Sequence, residues 1–342
     1  MLRFMVLMIA LCVGDLLAQS DQVLVDQFDR QYASGRYTLA LETAEEIVRR
    51  YPDSAWWRFN TGAVLARLDR GDEAMVHLSK CAQLGFSGIQ SFEQNTDLDP
   101  IREREDFKGV VEEVRANAEK RMGEFQREAL QHRPKTFVPE GVESPAMIIA
   151  LHGTGMDGGS MFDALLPVAE ELGMVLICPD GIRPSGDGFS WTYRDESEWF
   201  VEHLIGRAGA EHRVDAQRVI LVGFSQGANI ALIMGQTRPE LILGTVPICG
   251  HYEQQVAKSN SSPAPCYLLT GSLDPWKHTY GLAKRAFVAA GGVAKVRLVS
   301  GMRHELPSGR SGERELLRAM RWVLEQKKTD NEIEPGSGQE EP

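Results

Sequence analysis

Clustered basic residues are missing from this chain, whose 37 Lys and Arg stand against 48 Asp and Glu for a net charge of -11. That balance excludes a nucleic-acid backbone as partner, because phosphate binding depends on grouped Lys and Arg. Cysteine is scarce, at five in 342 residues, and no CxxC or HExxH spacing occurs. The common zinc patterns are thereby excluded, and nothing calls for a metal or a cofactor. A long apolar run is missing too: Phe4 to Val13 is the longest near the start, well short of the roughly 20 residues a spanning helix needs. The remaining composition, 43% hydrophobic and 25% charged, is that of a soluble globular protein with room for one large or two smaller domains.

Arg3, the apolar run and the small or polar residues through Ala18 and Gln19 follow the order of a secretory signal peptide. Residues 1–18 are expected to be such a peptide, giving an exported protein, periplasmic or secreted, with no integral membrane span after cleavage. Leu16 is larger than the site prefers at the third position before the cut, so an uncleaved anchor stays open. Cys12 belongs to the apolar run. An even four cysteines remain, Cys81, Cys178, Cys249 and Cys266, which export would permit to pair. Cys178 falls in an expected strand, and Cys249 and Cys266 at opposite ends of two expected parallel strands. Buried free thiols are the better expectation.

Ala40 and Ala74 lie 34 residues apart in matching surroundings, Arg36 to Leu41 against Arg70 to Met75. Leu41, Ala44 and Ile47, and again Met75, Leu78 and Cys81, recur on one helical face. Pro52 ends the first helix, and a second passes through Trp57, Thr61, Val64 and Leu68. This stretch resembles tetratricopeptide repeats, with Gly85 to Phe107 resembling the segment that closes such arrays. Two repeats are few for an independent core, so a small all-α domain over 19–131 is expected to pack on a neighbour or a protein partner; a plain helical spacer is the alternative. A charged helix from Val110 to about Gln131 leads to a boundary at His132-Arg133-Pro134.

Beyond it, short apolar runs alternate with helical stretches. Strands are expected at Ala146–Leu151, Met174–Cys178, Arg218–Gly223, Gly244–Cys249, Cys266–Thr270 and Lys295–Val299. Helices are expected at Met161–Leu172, Ser197–Ala208, Gln226–Gln236, Trp276–Ala289 and Gly312–Gln326. That alternation predicts an α/β domain over 132–327, a mostly parallel sheet covered on both faces. The acidic, Gly- and Pro-containing segment 328–342 reads as a disordered tail.

Gly223-Phe224-Ser225-Gln226-Gly227 sits between an apolar strand and a helix, the setting of a nucleophile elbow, in which a tight turn presents a serine hydroxyl at the sheet edge. Such a hydroxyl needs a base and the base an orienting acid, in the chain order Ser, acid, His. Asp274 and His304, each in a loop after a strand, complete that order. Helix N-capping is the plainer role for Asp274. His278 and His251 fit the order less well, and His152 reads as a structural loop residue. Oxyanion donors are expected from the backbone N–H of Gln226 and, in Leu151-His152-Gly153-Thr154-Gly155, of Thr154. Trp191, Tyr193 and Trp276 are candidate substrate walls, with core packing as the alternative. The short stretch from His251 to Pro265 leaves little room for a lid.

Through these segments, with Cys178-Pro179-Asp180-Gly181 and Trp191, residues 137 to 327 resemble the phospholipase/carboxylesterase family of α/β-hydrolases, which includes acyl-protein thioesterases and related predicted esterases. The resemblance implies ester or thioester hydrolysis through an acyl-enzyme on Ser225, with Asp274 and His304 as its partners, acting on a small-molecule or lipid-like acyl ester. Two rivals remain at this point: a prolyl-oligopeptidase-like peptidase, and an interaction protein carrying a degenerate hydrolase module.

Overall fold

A computed structural model describes residues 19–212, 214–215, 218–252 and 261–331. The expected signal peptide, residues 1–18, and most of the expected tail lie outside the described residues. Two units divide between Arg127 and Glu128, four residues before the boundary expected at His132.

The N-terminal unit is helical: α1 (Gln19–Ala33), α2 (Tyr37–Arg50), α3 (Ala55–Arg67), α4 (Gly71–Gln83), α5 (Ile89–Gln94), a 3-10 turn (Thr96–Ile101) and α6 (Glu105–Ala129), whose last residues cross the division. Pro52 follows the end of α2, and the Ser54 hydroxyl caps α3 by accepting the Trp57 N–H at 3.3 Å. Ala40 and Ala74 are both fully buried, small enough to let neighbouring helices close. α3 and α4 approach furthest at Gly62, where a Cβ would stand 2.6 Å from the Leu78 side chain. Around them pack Phe28, Leu41, Ile47, Trp57, Val64, Leu65 and Cys81. Phe59, Phe86, Phe92 and Phe107 continue the core as a run of ring contacts. Asp97, 3% exposed, is held by the Arg67 guanidinium at 2.6 Å and by the Tyr32 hydroxyl, so its buried charge is paired. α6 begins five residues before the expected Val110, with Glu105 and Asp106 in its first turn, where acidic side chains favour the helix dipole.

The C-terminal unit is built on a seven-stranded sheet. Its elements are β1 (Lys135–Phe137), β2 (Met147–Leu151), α7 (Gly158–Leu172), β3 (Val175–Cys178), β4 (Arg183–Ser185), β5 (Gly188–Ser190), α8 (Arg194–His212), β6 (Val219–Phe224), α9 (Gln226–Thr237), β7 (Gly244–Ile248), β8 (Cys266–Gly271), α10 (Lys277–Ala289), β9 (Ala294–Val299) and α11 (Gly309–Asn331). The order is β1-β3-β2-β6-β7-β8-β9, with β1 antiparallel to β3 and every other pairing parallel. β4 and β5 form a separate two-stranded ribbon. Neither β1 nor the ribbon is expected from the apolar runs. α11 also extends past residue 327, the expected end of the domain, to Asn331.

Every residue of β2, β3, β6, β7 and β8 is buried, as a sheet covered on both faces requires. α7 and α11 meet over one face, while α9 and α10 pack with β8 on the other. Tyr267 and Leu269 enter the first core, and Cys266 and Leu268 the second, following the two-residue period of a strand. All four cysteines after Cys12 are free and buried. Strand order reverses where β2 lies between β3 and β6, and at such a switch point the loops after two strands splay apart to leave a crevice. Among the described residues, no helix is long and apolar enough to cross a membrane.

Leu78 is fully buried where α3 and α4 close. Leu78→Ala is expected to destabilise the helical unit by about 2–5 kcal/mol, read as a lower urea midpoint of the helical transition; an unchanged midpoint would contradict this packing.

Candidate active site

Ser225 occupies the turn between β6 and α9 with φ 51° and ψ -112°, a left-handed conformation that a side chain normally avoids and that sites tolerate when their surroundings enforce it. The enforcement is visible. A Cβ on Gly223 would lie 2.1 Å from the Gly227 carbonyl oxygen, and one on Gly227 would lie 2.3 Å from that of Leu151. Only glycine permits these approaches. The Ser225 N–H donates to Ile248 O at 2.9 Å, and its carbonyl accepts from Ala228 and Asn229 at the start of α9. The hydroxyl is thus carried on a rigid corner rather than a flexible loop.

Asp274 and His304 come from the loops after β8 and β9, which are joined along their backbones. Ser272 N–H donates to Val299 O at 2.9 Å, and Leu273 N–H to Met302 O at 3.0 Å. The Ser272 hydroxyl accepts from Gly301 N–H at 2.9 Å. At Gly271 a Cβ would stand 2.0 Å from Met302 O. This pairing delivers the two side chains to each other. The Asp274 carboxylate, buried, accepts the Trp276 N–H at 2.7 Å on one oxygen and His304 Nδ1–H at 2.8 Å on the other. Since the carboxylate accepts, Nδ1 carries the proton and Nε2 offers its lone pair. His304 Nε2 lies 2.9 Å from Ser225 Oγ. The imidazole rests on the Phe224 ring at 5.3 Å. Asp274, His304 and Ser225 are therefore one hydrogen-bonded row, as their order in the chain leads one to expect. Asp274 also accepts the backbone two residues on, so its turn-capping role and its bond to the imidazole coexist.

Among the described residues, the backbone N–H groups of Thr154 and Gln226 have no protein acceptor. The Thr154 loop is braced by the β4–β5 ribbon: Gly155 N–H donates to Phe189 O, and Phe189 N–H to Met156 O, each at 2.9 Å. Gly188 makes the approach possible, since its Cβ would meet the Gly155 and Met156 carbonyl oxygens at 2.5 Å. The ribbon's part in the site is absent from the sequence expectations. Its signal is Gly186-Asp187, a two-residue hairpin loop between Ser185 and Gly188 with Gly186 at φ 59°.

His152 is a framework residue, as expected. It is fully buried, its Nδ1 stands 2.7 Å from Gly153 O, and its Nε2 accepts the Gly181 N–H at 2.8 Å. The three aromatic candidates part company. Trp191 is 5% exposed, with its Nε1–H donating to His152 O at 2.9 Å and its ring against His152 and Phe200; it is a brace inside the unit, correcting the expectation of a substrate wall. Tyr193 is half-buried. Trp276 is 40% exposed, two residues from Asp274 and edge-on to His251 at 4.8 Å. Within the stretch from His251 to Pro265, expected to be too short for a lid, residues 253–260 lie outside the described residues.

Cys249, expected only as a buried free thiol, also stands at the site. It follows β7 at φ 51°, fully buried, with Sγ 3.7 and 3.8 Å from the carbonyls of Arg303 and Glu305 on either side of His304. Burial, reinforced by Asp274, pushes its thiol up to about 12. Cys249, Asp274 and His304 form a group with the spacing of metal ligands. A neutral thiol and a carboxylate–imidazole pair already bonded to each other are poor donors for a cation, because ligation needs thiolate and a free ring nitrogen.

Residues 194–307 match the model of the phospholipase/carboxylesterase family. Over 118 residues the chain is 30% identical to feruloyl esterase B of Neurospora crassa, covering 32% of this chain and 40% of that protein. It thus spans less than half the length of that curated relative. Solved structures similar to it include esterase PE8, at 19% identity, TM-score 0.49 and coverage of 56% of this chain and 99% of that one. The Bacillus cereus carboxylesterase is similar at 19% identity, TM-score 0.48 and coverage of 60% and 98%.

Burial holds the His152 imidazole below its ordinary value. As the pH falls through about 6.5 the unfolded chain takes up a proton that the folded one refuses, so stability present above that value declines. His152→Gln removes that titration, and its urea midpoint is expected to fall less than that of the wild type between about pH 7.5 and 5.5. Equal falls would contradict a buried neutral His152.

Proposed function

We propose that this chain, whose C-terminal unit is an α/β-hydrolase of the phospholipase/carboxylesterase family, hydrolyses carboxylic esters through an acyl-enzyme on Ser225. The observation that carries the reading is the row Asp274–His304–Ser225, at 2.8 and 2.9 Å, on a corner that holds the serine hydroxyl at the sheet's switch point. The feruloyl esterase relative supports an ester rather than another acyl derivative.

In this mechanism Ser225 Oγ bonds to the substrate carbonyl carbon while its proton passes to His304 Nε2. Asp274 keeps Nδ1 protonated and stabilises the imidazolium so formed. The carbonyl oxygen, now negative, accepts hydrogen bonds from the Thr154 and Gln226 amides. Collapse breaks the bond to the leaving alcohol, which takes the proton from Nε2. Water, deprotonated by the same nitrogen, then releases the acid and restores the serine. A thioester could follow the same path, with a thiol leaving.

Two further readings belong to the proposal. Export by residues 1–18 rests on their charged, apolar and small-residue order. A protein-docking role for the helical unit, as a tetratricopeptide-like module, rests on the repeated and equally buried Ala40 and Ala74.

Turnover of p-nitrophenyl esters tests the chemistry. Ser225→Ala is expected to lose turnover by on the order of 10⁶-fold and Asp274→Asn by about 10⁴-fold, with circular dichroism unchanged. A wild type without turnover, or Ser225→Ala as active as wild type, would contradict it.

A further inference from the structure

The side chain of Gln226 does something that its backbone role does not require. Its Oε1 accepts the Trp191 N–H at 2.9 Å and the Thr154 hydroxyl at 3.1 Å, and its Nε2 donates to Trp191 O at 3.4 Å. The amide's orientation follows from the partners: a backbone N–H can only donate, so the atom facing it is the oxygen. The Thr154 hydroxyl proton is then committed to that oxygen and cannot serve a substrate. Trp191 is itself fixed, because His152 O accepts both its Nε1–H, at 2.9 Å, and the Gly227 N–H, at 3.2 Å. Residues following β2, β5 and β6 are thus closed into one hydrogen-bonded ring, and the two members carrying unpaired amides, Thr154 and Gln226, are bonded side chain to side chain.

We propose that the Gln226 carboxamide is a positioning residue, setting the separation of the two oxyanion donors by tying the Thr154 loop to the first turn of α9. The inference rests on the reading of Ser225 as a nucleophile. Two amides must converge on one oxygen, and apart from the packing of Gly153 against Phe224 and Ser225, the Gln226 carboxamide makes the side-chain hydrogen bond that ties Thr154 to the elbow. Without the carboxamide the loop keeps its brace on Phe189 but loses its link to Gln226, so donor spacing loosens while the substrate's ground-state contacts persist. Such a fault appears in kcat more than in KM, because the donors act on charge that develops in the transition state.

The test compares Gln226→Met, of similar volume, with Thr154→Val and Thr154→Ser. For a p-nitrophenyl ester, Gln226→Met is expected to lower kcat by on the order of 10- to 100-fold, with KM shifted by less than about 3-fold. Affinity for an alkylboronic acid, which mimics the tetrahedral oxyanion, should weaken by the same factor as kcat/KM. Thr154→Val should show a loss of the same kind, and Thr154→Ser, which restores the hydroxyl, should recover most of what Thr154→Val loses. The double variant Gln226→Met/Thr154→Val should be no worse than Gln226→Met alone, the mark of two groups acting through one bond.

Wild-type kcat in Gln226→Met, or single losses that multiply in the double variant, would overturn the inference. Should Gln226→Met fail to fold, Thr154→Val against Thr154→Ser keeps the comparison, and equal activities there would overturn it. A wild type that neither turns over esters nor binds the boronic acid overturns the nucleophile reading along with it. An active wild type with an indifferent Gln226→Met removes this inference alone.

Discussion

The contact on which the site depends is one of backbone against backbone: Gly227 at the start of α9 pressed onto the Leu151 carbonyl at the end of β2, where a Cβ would lie 2.3 Å away. Because nothing stands between them, the turn after β6 can tighten until Ser225 is forced to φ 51°. The same contact sets the Thr154 loop beside the serine, since that loop begins as β2 ends. A side chain at 223 or 227 would not merely crowd the site. It would separate the two strand ends whose adjacency places the Ser225 hydroxyl next to two backbone amides, those of Thr154 and Gln226, that have no acceptor among the described residues. Strain in the elbow is of the order of 1–3 kcal/mol, and the buried parallel strands on either side are what sustain it.

A second close approach does for Asp274 and His304 what the first does for Ser225. Gly271 lets the loop after β8 lie directly on the loop after β9, and three backbone-directed hydrogen bonds fasten them. Asp274 and His304 are far apart in the chain yet need little further positioning once those loops are joined. Cys249 fills the space behind them, touching the carbonyls that flank His304. Its left-handed backbone, at the end of the strand next to the one that carries Ser225, shows how tightly this sheet edge is packed.

Much of this is legible in the sequence. β2, β3, β6, β7 and β8 are buried on both faces, so they stand out as mostly apolar runs, and the order of Ser225, Asp274 and His304 after β6, β8 and β9 matches the order in which parallel strands deliver loops to one edge. What escaped was short, polar or dual in character. β1 is Lys-Thr-Phe on an edge, and β4 is Arg-Pro-Ser; neither has the length or pattern to announce a strand. Trp191 has the chemistry of a pocket wall and of a core brace alike, and only its indole bond to His152 O decides between them. The place of Gln226 directly after the serine marks its backbone amide; the reach of its carboxamide to Trp191 and Thr154 is a fact of three-dimensional folding. In the helical unit, Ala40 and Ala74 marked helix contacts through their small size, whereas the Asp97–Arg67–Tyr32 cluster joins residues whose spacing carries no pattern.

The central claim is that Ser225 is a nucleophile activated by His304. Peptide mass mapping after exposure to a fluorophosphonate tests it most directly. One phosphonyl group on the peptide containing Ser225, formed at a rate that collapses when His304 is replaced by alanine, is the result expected. Absence of an adduct, or an adduct on another serine such as Ser272, would contradict it.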